Sequence, residues 1–284
     1  MTTGISRVTD LNSYFNNIYE DAVFSARENS LATRLVTVFT DGAGDQTRTL
    51  SEYSSVSFSS VGETDDFSLP TQFAKSSLAT LTPGEYMAQV ILTDRRLETD
   101  PQNAQADASR DLGFAAATKV DTDIMSNFDN LTGGTVGASG STMIWGYFYA
   151  AQTRLRMGNV PGPYVAVLHP AQWHDMAGAA AVAATVTNGP QFQDAVMAAW
   201  FVQRVAGVDI FVSNNVPTSG NDAYGAMFNR AAIAYDLRRG FRLEPERDAS
   251  KRAWELNASM LYAHGVWRPL WGVQILSDAA APTS

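Results

Sequence analysis

The sequence predicts an α+β fold, and three observations carry that reading. Between residues 108 and 128 apolar side chains recur every four residues, as on one face of a long helix. Between 47 and 93 a Ser/Thr-rich stretch alternates with period two, as strands do. The last third alternates again, most clearly over 254–262. With 284 residues, 45% of them hydrophobic, the chain can bury a substantial core as one large domain or two small ones. Only 17% of residues are charged, which is low for a soluble monomer and points to a surface that meets other protein.

Residues 1–10 are polar. Asp10 then stands where a helix cap belongs, and Leu11, Phe15, Ile18 and Ala22 form an apolar stripe that predicts a helix over 11–27. The breaker Asp41-Gly42-Ala43-Gly44 closes the next segment. Val56 and Phe58 fall on one face of an expected strand and Ser55, Ser57 and Ser59 on the other, before an acidic turn at 62–66. A second extended run starts at Ser76 and continues past Thr82-Pro83-Gly84 with Tyr86, Ala88, Val90 and Leu92 on one face. The whole is expected to be a long two-stranded excursion with a polar tip. Such a hairpin is marginal alone in water and needs a surface to lie on.

Asp100-Pro101 reads as a helix start, and the helix is expected to reach Leu131, a rod of roughly 45 Å at ~1.5 Å per residue. A second helix is expected over 141–157, stopped by Gly158. A short buried strand follows at 164–168, and Pro170 opens the next helix. A further helix is expected after Gly189-Pro190, carrying Phe192, Val196, Ala199, Trp200 and Gln203. Val208, Ile210 and Val212 read as a strand, and 273–276 as the last one.

Several function classes are excluded early. Cysteine is absent, which removes disulfides, thiol catalysis and Cys-based zinc sites. The longest run of small apolar residues, 177–186, is about half a membrane span. The start MTTGISRVTDLNSYF has neither a basic opening nor an apolar core, so no signal peptide is expected, and a cytosolic, soluble chain is the default. Net charge is −9 without any basic block, so broad electrostatic capture of nucleic acid is not expected. Only Lys75, Lys119 and Lys251 of the 20 basic residues are lysines. The arginine bias suits fixed ion pairs at interfaces, because the guanidinium fork is preorganised.

Sites for chemistry are few. His169 and His174 are five apart with no intervening Glu, unlike the zincin pattern, so capping or packing is expected of them, and His264 stands alone. Gly133-Gly134 through Gly140 precedes a helix without ordered phosphate-loop spacing and reads as a flexible connector. Glu63, Asp65 and Asp66 lack calcium-loop spacing and read as a loop tip or an interface patch. Residues 236–248 interleave Arg238, Arg239, Arg242 and Arg247 with four carboxylates. Mixed charge of this kind fits ion pairing with a neighbouring copy or a solvated loop.

The order of these parts resembles the major capsid proteins of tailed double-stranded DNA bacteriophages, the HK97-like fold. The resemblance rests on residues 164–173 (YVAVLHPAQW), 207–217 (GVDIFVSNNVP) and 234–241 (AYDLRRGF), continued through 254–265 into the last strand. It implies an N-terminal arm at 1–45 and an E-loop at 46–93. It also implies a peripheral domain at 94–159 and 236–284, with a spine helix, and an axial domain at 160–235. In that family the E-loop of one subunit lies over its neighbour's peripheral domain, which would supply the missing partner surface.

The implied function is a structural, non-enzymatic subunit with no cofactor, self-assembling as hexamers and pentamers into an icosahedral virion shell around double-stranded DNA. Assembly is expected in the host cytoplasm with a portal and a separate scaffolding protein, and without a membrane. Contact with packaged DNA is expected to be weak and non-specific. Arg48, Glu52, Glu63, Asp65, Asp66, Lys75, Arg238, Arg239 and Arg242 are the candidate assembly-interface residues. Some relatives cross-link an E-loop lysine to an asparagine of another subunit, and Lys75 and Asn257 are the matching ingredients here. An encapsulin-like nanocompartment shell is the alternative on the same fold. A small metal-dependent hydrolase built on His169, His174 and Asp175 is the alternative from another class.

Overall fold

The computed structural model describes residues 30–42, 44–54, 56, 58–63, 72–99, 104–179 and 201–281. The expected arm helix at 11–27, the tip carboxylates Asp65 and Asp66, and all but the end of the helix expected after Gly189-Pro190 lie outside these residues. That helix does not extend to Gln203, since Phe201–Val205 is a strand.

Two sheets organise the chain. The first has four strands in the order β1 (Thr37–Phe39), β11 (Ile233–Asp248), β12 (Ala253–Val266) and β4 (Gly84–Thr93). Its centre is the long β11–β12 hairpin, paired from Ile233 opposite Val266 to Asp248 opposite Ala253, with irregularities around Arg239. The alternation of β4 then has a clear use. Leu92, with Leu256 and Ala258 of β12 and Leu243 of β11, packs against Ala108 and Leu112 of the long helix α3 (Ala104–Met125). The other face of β4 stays in solvent. A short helix α1 (Ala32–Leu35) sits before β1, and α2 (Asp94–Thr99) lies between β4 and α3.

The second sheet runs β5 (Thr135–Gly137), β13 (Gly272–Asp278), β10 (Asp222–Asn229), β6 (Tyr164–Leu168), β8 (Val208–Val212) and β7 (Phe201–Val205), with β9 (Thr218–Ser219) beside β10. Phe148, Ala151 and Leu155 of α4 (Trp145–Met157) bury against Val136, Ala166, Ile210, Met227 and Ile275 of this sheet. Pro170 opens α5 (Pro170–Ala179), as expected. Between the sheets lies a core built from Ile124, Phe128, Phe211, Phe228, Ile233 and Tyr262. No helix among the described residues is long and apolar enough to cross a membrane.

Four expectations change. First, the two-stranded excursion is shorter than 47–93. Only β2 (Arg48–Tyr53) and β3 (Lys75–Leu81) pair, while β4 leaves them and joins β12. Val56 and Phe58 lie beyond the last pair, Tyr53 with Lys75, and belong to no strand. Second, the rod ends early: residues 126–130 tighten into a 3-10 turn. Ser126 Oγ and Asn127 Nδ2 donate to the carbonyls of Asp123 and Ile124, satisfying acceptors that another helical turn would have used. Third, α4 begins at Trp145 rather than 141, because Ser141 closes a turn onto Ala138.

Fourth, the glycine-rich stretch is no loose connector. β5 pairs parallel to β13, and Gly137 adopts φ 90° with the space for a Cβ only 2.0 Å from the Leu276 carbonyl oxygen. Only glycine permits that approach. β5, α4 and the final strand β13 all serve the second sheet.

Candidate assembly surface

The two-stranded loop is rigidly founded. Leu50 and Leu81 are buried with Ala234 and Ala263 of the first sheet. Arg48 donates through Nε to Asp236 Oδ2 at 2.9 Å and through Nη2 to Asp41 at 2.6 Å. Arg238 reaches the same Asp236 oxygen at 2.7 Å. Asp236 is fully buried and the Arg238 side chain is only 4% exposed. Hydrogen bonding from Arg48 holds the Asp41 carboxyl below the usual carboxylate range. Further along β2, Glu52 accepts from Arg268 Nε at 3.2 Å. Arg268 itself lies over the rings of Trp267 and Trp271, 4.4 and 4.3 Å from their centroids.

The far end of the loop has no such support. Tyr53 stacks on Phe73 at 4.7 Å, and Ser54 bonds to Gln72 and Ala74. Beyond them Val56 and Val61 are about half exposed and Phe58 is fully exposed, at 103%. Glu63 and Lys75 are exposed nearby. The outward face of β4 is a second apolar surface, with Met87 and Ile91 at 69% and 45%. Between them Gln89 donates to both Glu255 and Asn257. Exposed large apolar groups on a rigid frame are a mark of interaction surfaces.

The charged run is not a loop but the strand β11, and its described ion pairs lie within the chain. Arg239 pairs with Glu85, Arg242 with Glu244, and Arg247 grips Asp94 with two bonds of 2.6 Å. At the hairpin turn Asp248 accepts from Ser250 and Lys251, which holds its carboxyl far below the usual range. Arg238 therefore belongs to the interior, whereas Arg239 and Arg242 remain 39% and 57% exposed.

The histidines have structural settings. His169 Nδ1 accepts from the Ala171 N–H at the start of α5, and burial lowers its pKa. His174 is half exposed, 3.7 Å from Asp175, and Asp175 accepts from the Met143 N–H at 3.4 Å. Sequence reasoning missed three buried polar anchors. Asp121 on α3 accepts from Ser30 Oγ and from the N–H groups of Leu31 and Ala32, capping α1 from another element. Gln172 ties α5 to Ala223 and Ser277. Asn127 donates to His264 Nδ1 at 2.9 Å. Each needs its partner across a long stretch of chain, so local pattern carried no signal.

The last contact gives a pH prediction. Burial lowers the His264 pKa below that of a free imidazole, outweighing the attraction of Asp123. Protonation would also turn an acceptor into a donor facing the Asn127 donor. The unfolded chain then binds more protons than the native one below pH ~6.5, so stability falls as pH drops through that range. Melting temperature should decline from pH 7.5 to 5, with a shallower decline in His264→Gln. An identical slope in the variant would exclude His264 as a source.

Comparison with known proteins decides the identity. A family model described as phage capsid protein matches residues 80–275, more than two thirds of the chain. The chain belongs to this phage capsid protein family. No curated protein matches the sequence. Among solved structures, one described as Mycobacterium phage Che8 is similar at 18% identity and TM-score 0.69, covering 87% of this chain and 90% of that one. The capsid of cyanophage P-SCSP1u is similar at 17% identity and TM-score 0.65, covering 87% of each. A virus-like particle from Pyrococcus furiosus is similar at 10% identity and TM-score 0.62, covering 92% of this chain and 99% of that one.

The fold is therefore HK97-like, as the sequence resemblance implied. The capsid family membership makes the chain a structural major capsid protein rather than an enzyme, and favours it over the encapsulin alternative. As a member of this family it is a component of a phage virion.

Proposed function

We propose that the capsid protein closes its shell by laying the loop of each copy, residues 48–81, over the first sheet and spine helix α3 of a neighbour. In this reading the first sheet with α3 is the peripheral domain, the second sheet the axial domain, and the arm precedes Ser30. The observation that carries it is Phe58: a fully exposed aromatic side chain at the end of a loop whose base is held by Arg48, Glu52, Leu50 and Leu81. A large ring held in water on a preorganised frame gains most by entering a partner's pocket, since aromatic anchors dominate interface energetics. Met87 and Ile91 on β4 supply a receiving apolar surface. Glu63 and Lys75 are exposed on the loop, Asp65 and Asp66 follow Glu63 closely in the sequence, and Arg239 and Arg242 are partly exposed on β11; all serve as contact residues in this reading.

The shells are icosahedral, built of hexamers and pentamers, and enclose double-stranded DNA loaded through a portal after assembly in the host cytoplasm on a separate scaffolding protein. Net charge −9 supports only weak, non-specific contact with the packaged DNA. Substituting Phe58→Asp tests the reading. The side chain is fully exposed among the described residues, so the subunit should melt as before. Shells counted by electron microscopy should fall at least tenfold, the factor that ~1.4 kcal/mol per contact already implies. Unchanged shell yield would remove Phe58 as the anchor.

A further inference from the structure

A groove of about 920 Å³ opens between the spine helix α3 and strand β11, on the side of the first sheet opposite the exposed face of β4. Its floor is apolar, with Val38, Ala116, Val120, Leu237 and Phe241. The charged groups lining it are Arg34, Arg239 and Arg242, without a carboxylate among its lining residues. Arg239 holds Glu85 of β4 and Arg242 holds Glu244 of its own strand, both outside the groove, yet Arg239 Nε is buried and makes no hydrogen bond among the described residues. The groove thus asks for an apolar ligand that also brings negative charge.

We propose that its ligand is residues 11–27 of the same subunit, seated as an amphipathic helix. Ser30 itself lines the groove, so the chain before it starts at the groove's mouth. That starting point is fixed: Asp121 on α3 accepts from Ser30 Oγ at 2.8 Å and from the Leu31 and Ala32 N–H groups at 3.0 Å. Leu11, Phe15, Ile18 and Ala22 supply an apolar stripe at helical spacing, and Glu20 and Asp21 against Arg27 leave the segment with a net charge of −1. A helix of this length is about 25 Å long at ~1.5 Å per residue. The short tether keeps the segment at an effective concentration in the ~mM range, so modest contacts suffice. The inference places a neighbour's E-loop elsewhere on the first sheet and α3, outside this groove.

The chain contains no cysteine, so introduced thiols report cleanly. In the full-length protein carrying Phe15→Cys and Leu237→Cys, a short bismaleimide should join the two positions within one chain, seen as a single linked peptide pair after proteolysis. Arg34→Glu with Arg242→Glu in that background should abolish the cross-link. Phe15→Cys with Met157→Cys, on an exposed helix end, should give none. Ile18→Cys with Val38→Cys repeats the test at a partly exposed position, so poor folding of the first pair does not end it. A product joining two chains would assign the groove to a neighbour's arm and overturn the same-subunit claim. Cross-linking of Phe58→Cys to Leu237→Cys between chains would give it to the E-loop. Two thiols of each arm pair that label freely and never cross-link would leave the groove without this ligand.

Discussion

Asp236→Ala should unfold the isolated subunit or lower its stability by roughly 3–5 kcal/mol, the usual cost of removing one partner from a buried ion pair. Asp236 is fully buried and holds both Arg48 and Arg238 through one oxygen, Oδ2. Arg48 retains Asp41 and some solvent, but Arg238 is 4% exposed. The loss is a large part of the ~5–15 kcal/mol that holds a typical domain together. Chemical denaturation of the variant subunit measures it. Arg242→Ala is the reference: it breaks an exposed pair and should cost ~0–1 kcal/mol. If the cluster's charges chiefly offset one another's desolvation, the combined Asp236→Leu, Arg48→Met, Arg238→Met variant should recover most of the loss. Equal small effects of Asp236→Ala and Arg242→Ala would show that the cluster does not hold the loop base.

Shortening the loop should have an all-or-none effect on assembly with little on folding. Tyr53 and Lys75 face each other as the last pair of the two-stranded sheet. Residues 54–74 can therefore be replaced by Asn-Gly, which favours the tight turn of a two-residue hairpin. The anchors Arg48, Leu50, Glu52 and Leu81 all stay in place. The shortened subunit should melt within a few degrees of the full one. Electron micrographs should show no shells, because every copy loses the same contact and a closed shell multiplies that loss. Shells of normal size would refute the assembly role of the loop tip; a subunit that no longer folds would place the tip in the core, against the exposure of Val56, Phe58 and Val61.

What the sequence by itself determined is the kind of protein and the order of its parts. The four-residue apolar spacing of 108–128 is a local property of a helix packed on one side, and α3 follows it. Pro170 and the apolar run 164–168 likewise marked their elements, because proline and strand alternation act on neighbouring residues. The ordered motifs at 164–173, 207–217 and 234–241 were enough to suggest the capsid family. Arg48 and Glu52, read from the sequence as assembly-interface candidates, stand at the loop base and bond within the subunit.

The tertiary structure alone decided the pairings. Strand alternation in β4 and β13 is the same whichever sheet receives them, so their partners β12 and β10 depended on contacts far along the chain. Arg48 and Asp236 are 188 residues apart, and Ser30 and Asp121 are 91 apart. No local pattern distinguishes an arginine that will meet a buried carboxylate from one that will meet a neighbouring subunit. Gly137 looked like slack chain until the Leu276 carbonyl was placed against it. Periodicity reports which face of an element is apolar. Which other element covers that face is set by the closure of the whole chain, and here that closure put Arg238 in the core and left Phe58 in the water.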